Sequence, residues 1–218
     1  MREKIINEIL ENGLIAIIRG VEKEKLSPLV EALYQGGIRL CELTYSQDGS
    51  RDDENAECIK MLTKEFEGKM IIGAGTVVSV RQAELTAKAG GGFVISPDTN
   101  PEVISASRRL SLVSIPGALT PSEITFADRS GADFVKLFPV GTLGAGYVKA
   151  IKAPLSSIRL LAVGGIGVDD IPPYLEAGVD GFGIGGTLTD KKAIESGNFA
   201  KITETARRLV EAFREAKK

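Results

Sequence analysis

Short apolar runs alternate with amphipathic helical stretches from one end of this chain to the other. The apolar runs are Leu14–Ile18, Ile38–Leu43, Met70–Ile72, Gly92–Ile95, Leu112–Ile115, Phe134–Leu137, Ile158–Ala162 and Gly181–Ile184. Each is bounded by turn-forming residues and too short for an ordinary helix, as buried strands are. Between them lie helical segments at Lys25–Gln35, Glu54–Phe66, Val80–Ala89, Pro101–Arg109, Pro121–Ser130, Gly146–Lys152 and Asp169–Ala177. A leading helix covers Glu3–Glu11 and a closing one Phe199–Lys217. Gly36-Gly37, Gly90, Gly131 and Gly178 follow helices as C-caps should, and Ser79, Asn100, Thr120 and Asp169 sit at N-cap positions.

Strands joined by helical crossovers run parallel, and eight such units predict an α/β chain folded as a (β/α)8 TIM barrel with a leading N-terminal helix. An open, doubly wound sheet is the structural rival. No Pro/Ser-rich linker, charge block or low-complexity stretch interrupts the alternation, so residues 1–218 read as one barrel domain.

Composition removes several function classes. Lys plus Arg total 27 against 29 Asp plus Glu, a net charge of −2, which offers neither nucleic acid nor an anionic membrane a basic surface. No stretch approaches the roughly 18 apolar residues of a membrane span, and Met1 to Asn12 lacks the apolar centre of a signal peptide. Cys41 and Cys58 have no CxxC spacing, as expected of a reduced cytoplasmic protein. The chain has no histidine. That excludes His-based acid/base catalysis, Ser-His and Cys-His pairs, and zinc sites with His ligands, while a carboxylate-held Mg²⁺ stays open.

Within the sixth apolar run stands one cation, Lys136, flanked by Phe134, Val135, Leu137 and Phe138. Alternation puts Phe134, Lys136 and Phe138 on one face. Desolvation there drives the ammonium toward the neutral amine, which attacks ketones and forms Schiff bases. The plainer reading is a strand-end lysine that snorkels to water or pairs with a carboxylate.

Barrel active sites lie at the C-terminal strand ends, where several polar residues of this chain converge. Ile15, Ile17 and Arg19 share one face of the first strand; Leu40, Glu42 and Thr44 share one face of the second. The third continues into Gly73-Ala74-Gly75-Thr76, the fourth ends at Ser96-Pro97 and the fifth at Pro116-Gly117. Arg19 could be a rim ion pair, and Glu42 a structural partner of Lys136 or Arg19. Three ionisable groups ending three strands of one barrel also form the pattern of a working site. After the seventh and eighth strands come Gly164-Gly165-Ile166-Gly167 and Gly185-Gly186-Thr187. Loops at these positions commonly bind phosphate through backbone N–H groups, although glycines also serve plain tight turns.

Gly73-Ala74-Gly75-Thr76-Val77, Ile95-Ser96-Pro97, Ile115-Pro116-Gly117-Ala118, Val135-Lys136-Leu137-Phe138-Pro139 and Val163-Gly164-Gly165-Ile166, in this order, resemble the 2-keto-3-deoxy-6-phosphogluconate (KDPG)/4-hydroxy-2-oxoglutarate (KHG) aldolase family. The likeness runs from Leu14 to Leu188. It implies a class I aldolase, a lyase that needs no metal or other cofactor, on a (β/α)8 barrel that is usually a homotrimer. The family's Schiff-base lysine falls on Lys136 and its acid/base glutamate on Glu42. Its carboxylate-binding threonine falls on Thr76, its pocket-shaping residues on Pro97 and Phe138, and its phosphate-binding glycines on Gly164, Gly165 and Gly185. The implied partner is a small 2-keto acid that cleaves to pyruvate and glyceraldehyde 3-phosphate or glyoxylate.

The chain departs from the family pattern at three places. Some members carry a substrate-binding arginine where this chain has Ser46; others have one where Arg19 stands, which moves the carboxylate role to Arg19. Many have threonine at the position of Val163 and serine at that of Gly186. A phosphosugar isomerase or epimerase using Glu42 as base, and a non-catalytic binding barrel, are the other readings of the same residues.

Overall fold

The computed structural model of the chain describes residues 2–218. Among them, nine parallel strands form one sheet: β1 (Leu14–Ile18), β2 (Leu40–Thr44), β3 (Ile71–Gly75), β4 (Phe93–Ile95), β5 (Val113–Ile115), β6 (Gly117–Ala118), β7 (Val135–Leu137), β8 (Leu160–Val163) and β9 (Gly181–Ile184). They lie in the order β5-β4-β3-β2-β1-β9-β8-β7-β6. β5 and β6 are halves of one unit, split at Pro116, which has no N–H to give a ladder. β5 pairs with β4 and β6 with β7, and the Pro116 carbonyl accepts the Lys136 amide at 2.8 Å. The fifth unit therefore joins both ends of the sheet, closing a (β/α)8 barrel.

Helices α1 (Arg2–Asn12), α2 (Lys23–Gln35), α3 (Asp52–Glu65), α4 (Val80–Lys88), α5 (Pro101–Arg109), α6 (Pro121–Arg129), α7 (Gly144–Lys152), α8 (Ile171–Glu176), α9 (Lys191–Glu195) and α10 (Phe199–Ala216) accompany the strands. Ser79, Asn100 and Thr120 cap α4, α5 and α6 through their side-chain oxygens. Asp169 does not cap as expected. It lies inside a 3₁₀ turn over Val168–Asp170, and the neighbouring Asp170 carboxylate takes the Gly167 amide at 2.7 Å. α9 was not foreseen: its five residues are too few to show a period, and Asp190 caps it by accepting the Ala193 amide. β2 and β3 begin later and reach further than their apolar runs, to Thr44 and Gly75. The register Leu40↔Ile71 through Thr44↔Gly75 keeps even the small residues extended by backbone pairing.

Strand alternation divides the core in two. Leu14, Ala16, Ile18, Cys41, Leu43, Val135 and Leu137 face the helices, while Ile15, Leu40, Phe93, Ile95, Phe134 and Leu161 fill the barrel. Ile5, Ile6 and Ile9 of α1 join that inner cluster and plug the end away from the strand C-termini. Arg2 ties α1 down through an ion pair to the buried Asp133 carboxylate, which also accepts the Ser114 amide at 2.9 Å. Removing Ile9, 1% exposed, leaves a cavity under the barrel. Ile9→Ala is expected to lower stability by about 2–5 kcal/mol in urea unfolding while activity per folded molecule stays unchanged.

Candidate active site

β2 and β7 stand opposite each other across the barrel, and their inward-facing mid-strand residues are Glu42 and Lys136. Both are interior: Glu42 is 1% and Lys136 6% exposed. Glycines make the room. A Cβ at Gly75 would lie 2.4 Å from Glu42 Oε1, so the carboxyl rests directly on the β3 backbone. A Cβ at Gly117, the neighbour of Lys136 in the ladder, would meet the Pro97 carbonyl at 2.4 Å. Among the described residues, Glu42 Oε2 is a buried side-chain oxygen with no hydrogen-bond partner. Such an atom is costly in a fold and useful in a reaction.

Burial pushes the Glu42 carboxyl up to about 7, against the pull of the Lys136 and Arg19 charges. Burial also drives the Lys136 pKa down, opposed by Glu42 and reinforced by Arg19. The two groups thus approach each other in acidity from opposite ends of the scale. At neutral pH, Glu42 can both give and take a proton, and Lys136 is more easily stripped of its own. The Phe138 ring lies across the amine, its centroid 4.5 Å from Nζ.

Above the pair opens a cavity of about 440 Å³, lined by Arg19, Gln47, Thr76, Pro97, Lys136, Phe138, Val163, Gly164, Gly165, Gly185, Gly186 and Thr187, among others. Nine of the ten residues singled out from sequence line it. The tenth, Glu42, lies sealed beneath, with its charge felt by Lys136. Thr76 stands in the left-handed region, φ +56°, where β-branched residues are rare. Gly164, φ +101°, packs under the Phe138 ring. At the position of interest after β9, Thr187 donates its hydroxyl to the Ile166 carbonyl at 3.1 Å, and that proton is not free to replace the one missing at Gly186. Ser46, where some family members have arginine, lines a second cavity of about 560 Å³ that shares Arg19, Gln47 and Thr76 with the first. Gln47 was not foreseen, because a polar residue in a polar loop carries no pattern.

A family model described as KDPG and KHG aldolase matches residues 5–205. The chain belongs to that aldolase family. This KDPG/KHG aldolase family member is a lyase. It is 35% identical over 181 residues to a probable 2-dehydro-3-deoxy-6-phosphogalactonate aldolase of Rhizobium meliloti, covering 82% of each chain. It is 32% identical over 206 residues to the KHG/KDPG aldolase of Escherichia coli strain K12, covering 93% of each. A KDPG aldolase from Legionella pneumophila, with pyruvate captured as a covalent carbinolamine intermediate, superposes with a TM-score of 0.82 at 28% identity, covering 94% of this chain and 97% of the other. Among the described residues, no helix is long and apolar enough to cross a membrane, and no group of three or more Cys, Asp and Glu side chains could hold a metal ion.

Proposed function

We propose that this aldolase cleaves a 2-keto-4-hydroxy acid, KDPG to pyruvate and glyceraldehyde 3-phosphate and/or KHG to pyruvate and glyoxylate, through a Schiff base on Lys136. The observation that carries this reading is the buried Lys136–Glu42 pair with opposed pKa shifts under one cavity. Neutral Lys136 attacks the C2 ketone to give a carbinolamine, and protonated Glu42 gives its proton to the departing hydroxyl, so that water leaves and an iminium forms beside the Glu42 carboxylate. The Glu42 carboxylate, which lies beneath the cavity floor, then takes the C4 hydroxyl proton through a water molecule. As the C4 carbonyl forms, the C3–C4 bond breaks and its electrons pass to the iminium, leaving an enamine. Glu42 returns the proton to C3 by the same water, and a water molecule hydrolyses the pyruvyl iminium. Arg19 and Thr76 hold the carboxylate, and Pro97 and Phe138 set the plane of the ketone against Lys136. Borohydride reduction with pyruvate tests the reading: it is expected to fix a reduced pyruvyl group on Lys136, and an unlabelled Lys136 would defeat it.

At the far end of the substrate, the backbone amides of Gly164, Gly165, Gly185 and Gly186 supply donors for a phosphate, with Val163 and Gly186 adding no hydroxyl. Gly186 is exposed, its φ is not left-handed, and an added Cβ would meet nothing within 4 Å. A serine therefore fits without strain. Gly186→Ser is expected to raise the kcat/KM ratio of phosphorylated over unphosphorylated substrate about tenfold, one charge-assisted hydrogen bond. Steady-state kinetics on both substrates checks it. We also place the protein in the cytoplasm, which suits its two unbridged, buried cysteines. The exposed Phe126 and Leu143 offer apolar surface for a homotrimer, checked by a sedimenting mass of three chains.

A further inference from the structure

Thr76 occupies a conformation that persists only where its surroundings over-determine it. Its neighbours are fixed on both sides. The Gly75 carbonyl accepts the Tyr45 amide at 2.8 Å, and the Val77 amide donates to the Ile95 carbonyl at 3.1 Å. The Val77 carbonyl accepts the buried Ser96 hydroxyl at 2.6 Å, and the Val78 amide donates to Gln82 Oε1 at 2.8 Å. Gln82 is the member that reaches furthest. It is 2% exposed, and its Nε2 donates to Asp52 Oδ1 at 3.0 Å and to the Ser46 carbonyl at 3.3 Å. One buried amide thereby ties the Thr76 turn to the loop after β2. Only an amide can do this, because the site needs one acceptor toward Val78 and two donors toward a carbonyl and a carboxylate.

We infer that Gln82 is a positioning residue for the aldol reaction: it holds Thr76 in its strained turn so that the hydroxyl meets the substrate carboxylate beside Lys136. This rests on the reading that Thr76 and Arg19 take the carboxylate. Gln82 does not line the cavity, so it acts through Thr76 and its influence is confined to ligands that carry a carboxylate.

The test is borohydride trapping on Lys136 at graded concentrations of pyruvate and of acetone, which keeps the ketone but has a methyl group for the carboxylate. Gln82→Glu sets a carboxylate against Asp52 and offers Ser46 no proton. It is expected to raise the half-saturating pyruvate concentration about tenfold and leave that of acetone unchanged. Adding Asp52→Asn replaces the repulsion with an amide–carboxylate bond and is expected to recover most of the loss. Equal shifts for both ketones, or no shift for pyruvate, would overturn the inference. If Gln82→Glu does not fold, Gln82→Met keeps the side-chain length, loses all three bonds and takes the same test with the same outcomes. Failure of the underlying reading looks different: wild-type Lys136 forms no pyruvyl adduct, or Thr76→Ala binds pyruvate as the wild type does. Either result overturns both.

Discussion

Lys136→Met is expected to abolish turnover, with kcat falling by on the order of 10⁴-fold or more, the scale on which loss of a covalent nucleophile falls. The substitution is close to isosteric, so the barrel can retain its packing and the loss belongs to the chemistry. Without the amine there is no iminium to accept the C3–C4 electrons, and Glu42 alone has no electron sink to work against. Lys136→Arg is expected to be equally dead, because a guanidinium is not deprotonated in a protein and cannot attack a ketone. Circular dichroism and thermal melting establish that both variants fold; mass spectrometry after borohydride and pyruvate should find neither of them labelled. Residual cleavage within tenfold of the wild type in either variant would end the Schiff-base mechanism.

Glu42→Gln should separate activity from stability. Cleavage is expected to fall by about 10²–10⁴-fold, the range for loss of a general acid/base. Stability moves the other way, with a definite pH dependence. The folded-state pKa of Glu42, about 7, lies above its ordinary 4.5. Between those values the native state holds more protons than the unfolded chain, so stability falls as pH rises through this window, and the cost is complete above pH 7. The shift corresponds to about 3 kcal/mol. Lys136, whose pKa is depressed, acts in the opposite sense: its cost is present at low pH and is relieved above its folded pKa. The comparison is therefore variant against wild type at each pH. Urea unfolding is expected to show Glu42→Gln nearly level with the wild type at pH 4.5 and more stable at pH 8. A gain of equal size at both values would mean that the carboxyl titrates normally.

Much of this architecture was legible in the sequence because two periods carry it. Period-2 alternation separated Ile15, Leu40 and Phe134 inside the barrel from Leu14, Cys41 and Val135 outside it, and it sent Glu42 and Lys136 inward, with Arg19 exposed at the cavity mouth. Glycines marked the turns because left-handed backbone demands them, as at Gly131 and Gly178. What escaped lacks a period or a side-chain signature. α9 is too short to show one, the Asp170 cap beats Asp169 by a single residue, and Pro116 hides a strand that continues on both sides of it. The strain at Thr76 was invisible for a further reason: threonine is the last kind of residue from which a left-handed turn is read. Gln82, buried with its amide fully used, looks in sequence like any exposed helical glutamine.

The plug at the closed end has a consequence for how the molecule is made. Arg2 and Asp133 lie 131 residues apart in sequence, and the apolar seat of α1 includes Phe134 and Leu161, which are synthesised later still. Helix α1 leaves the ribosome before its seat does and therefore waits, with its three isoleucines uncovered, until most of the barrel exists to receive it. In pulse-labelled hydrogen exchange during refolding, amides of α1 should gain protection after those of β1 to β4. A helix made before the barrel is thus the one that finishes it.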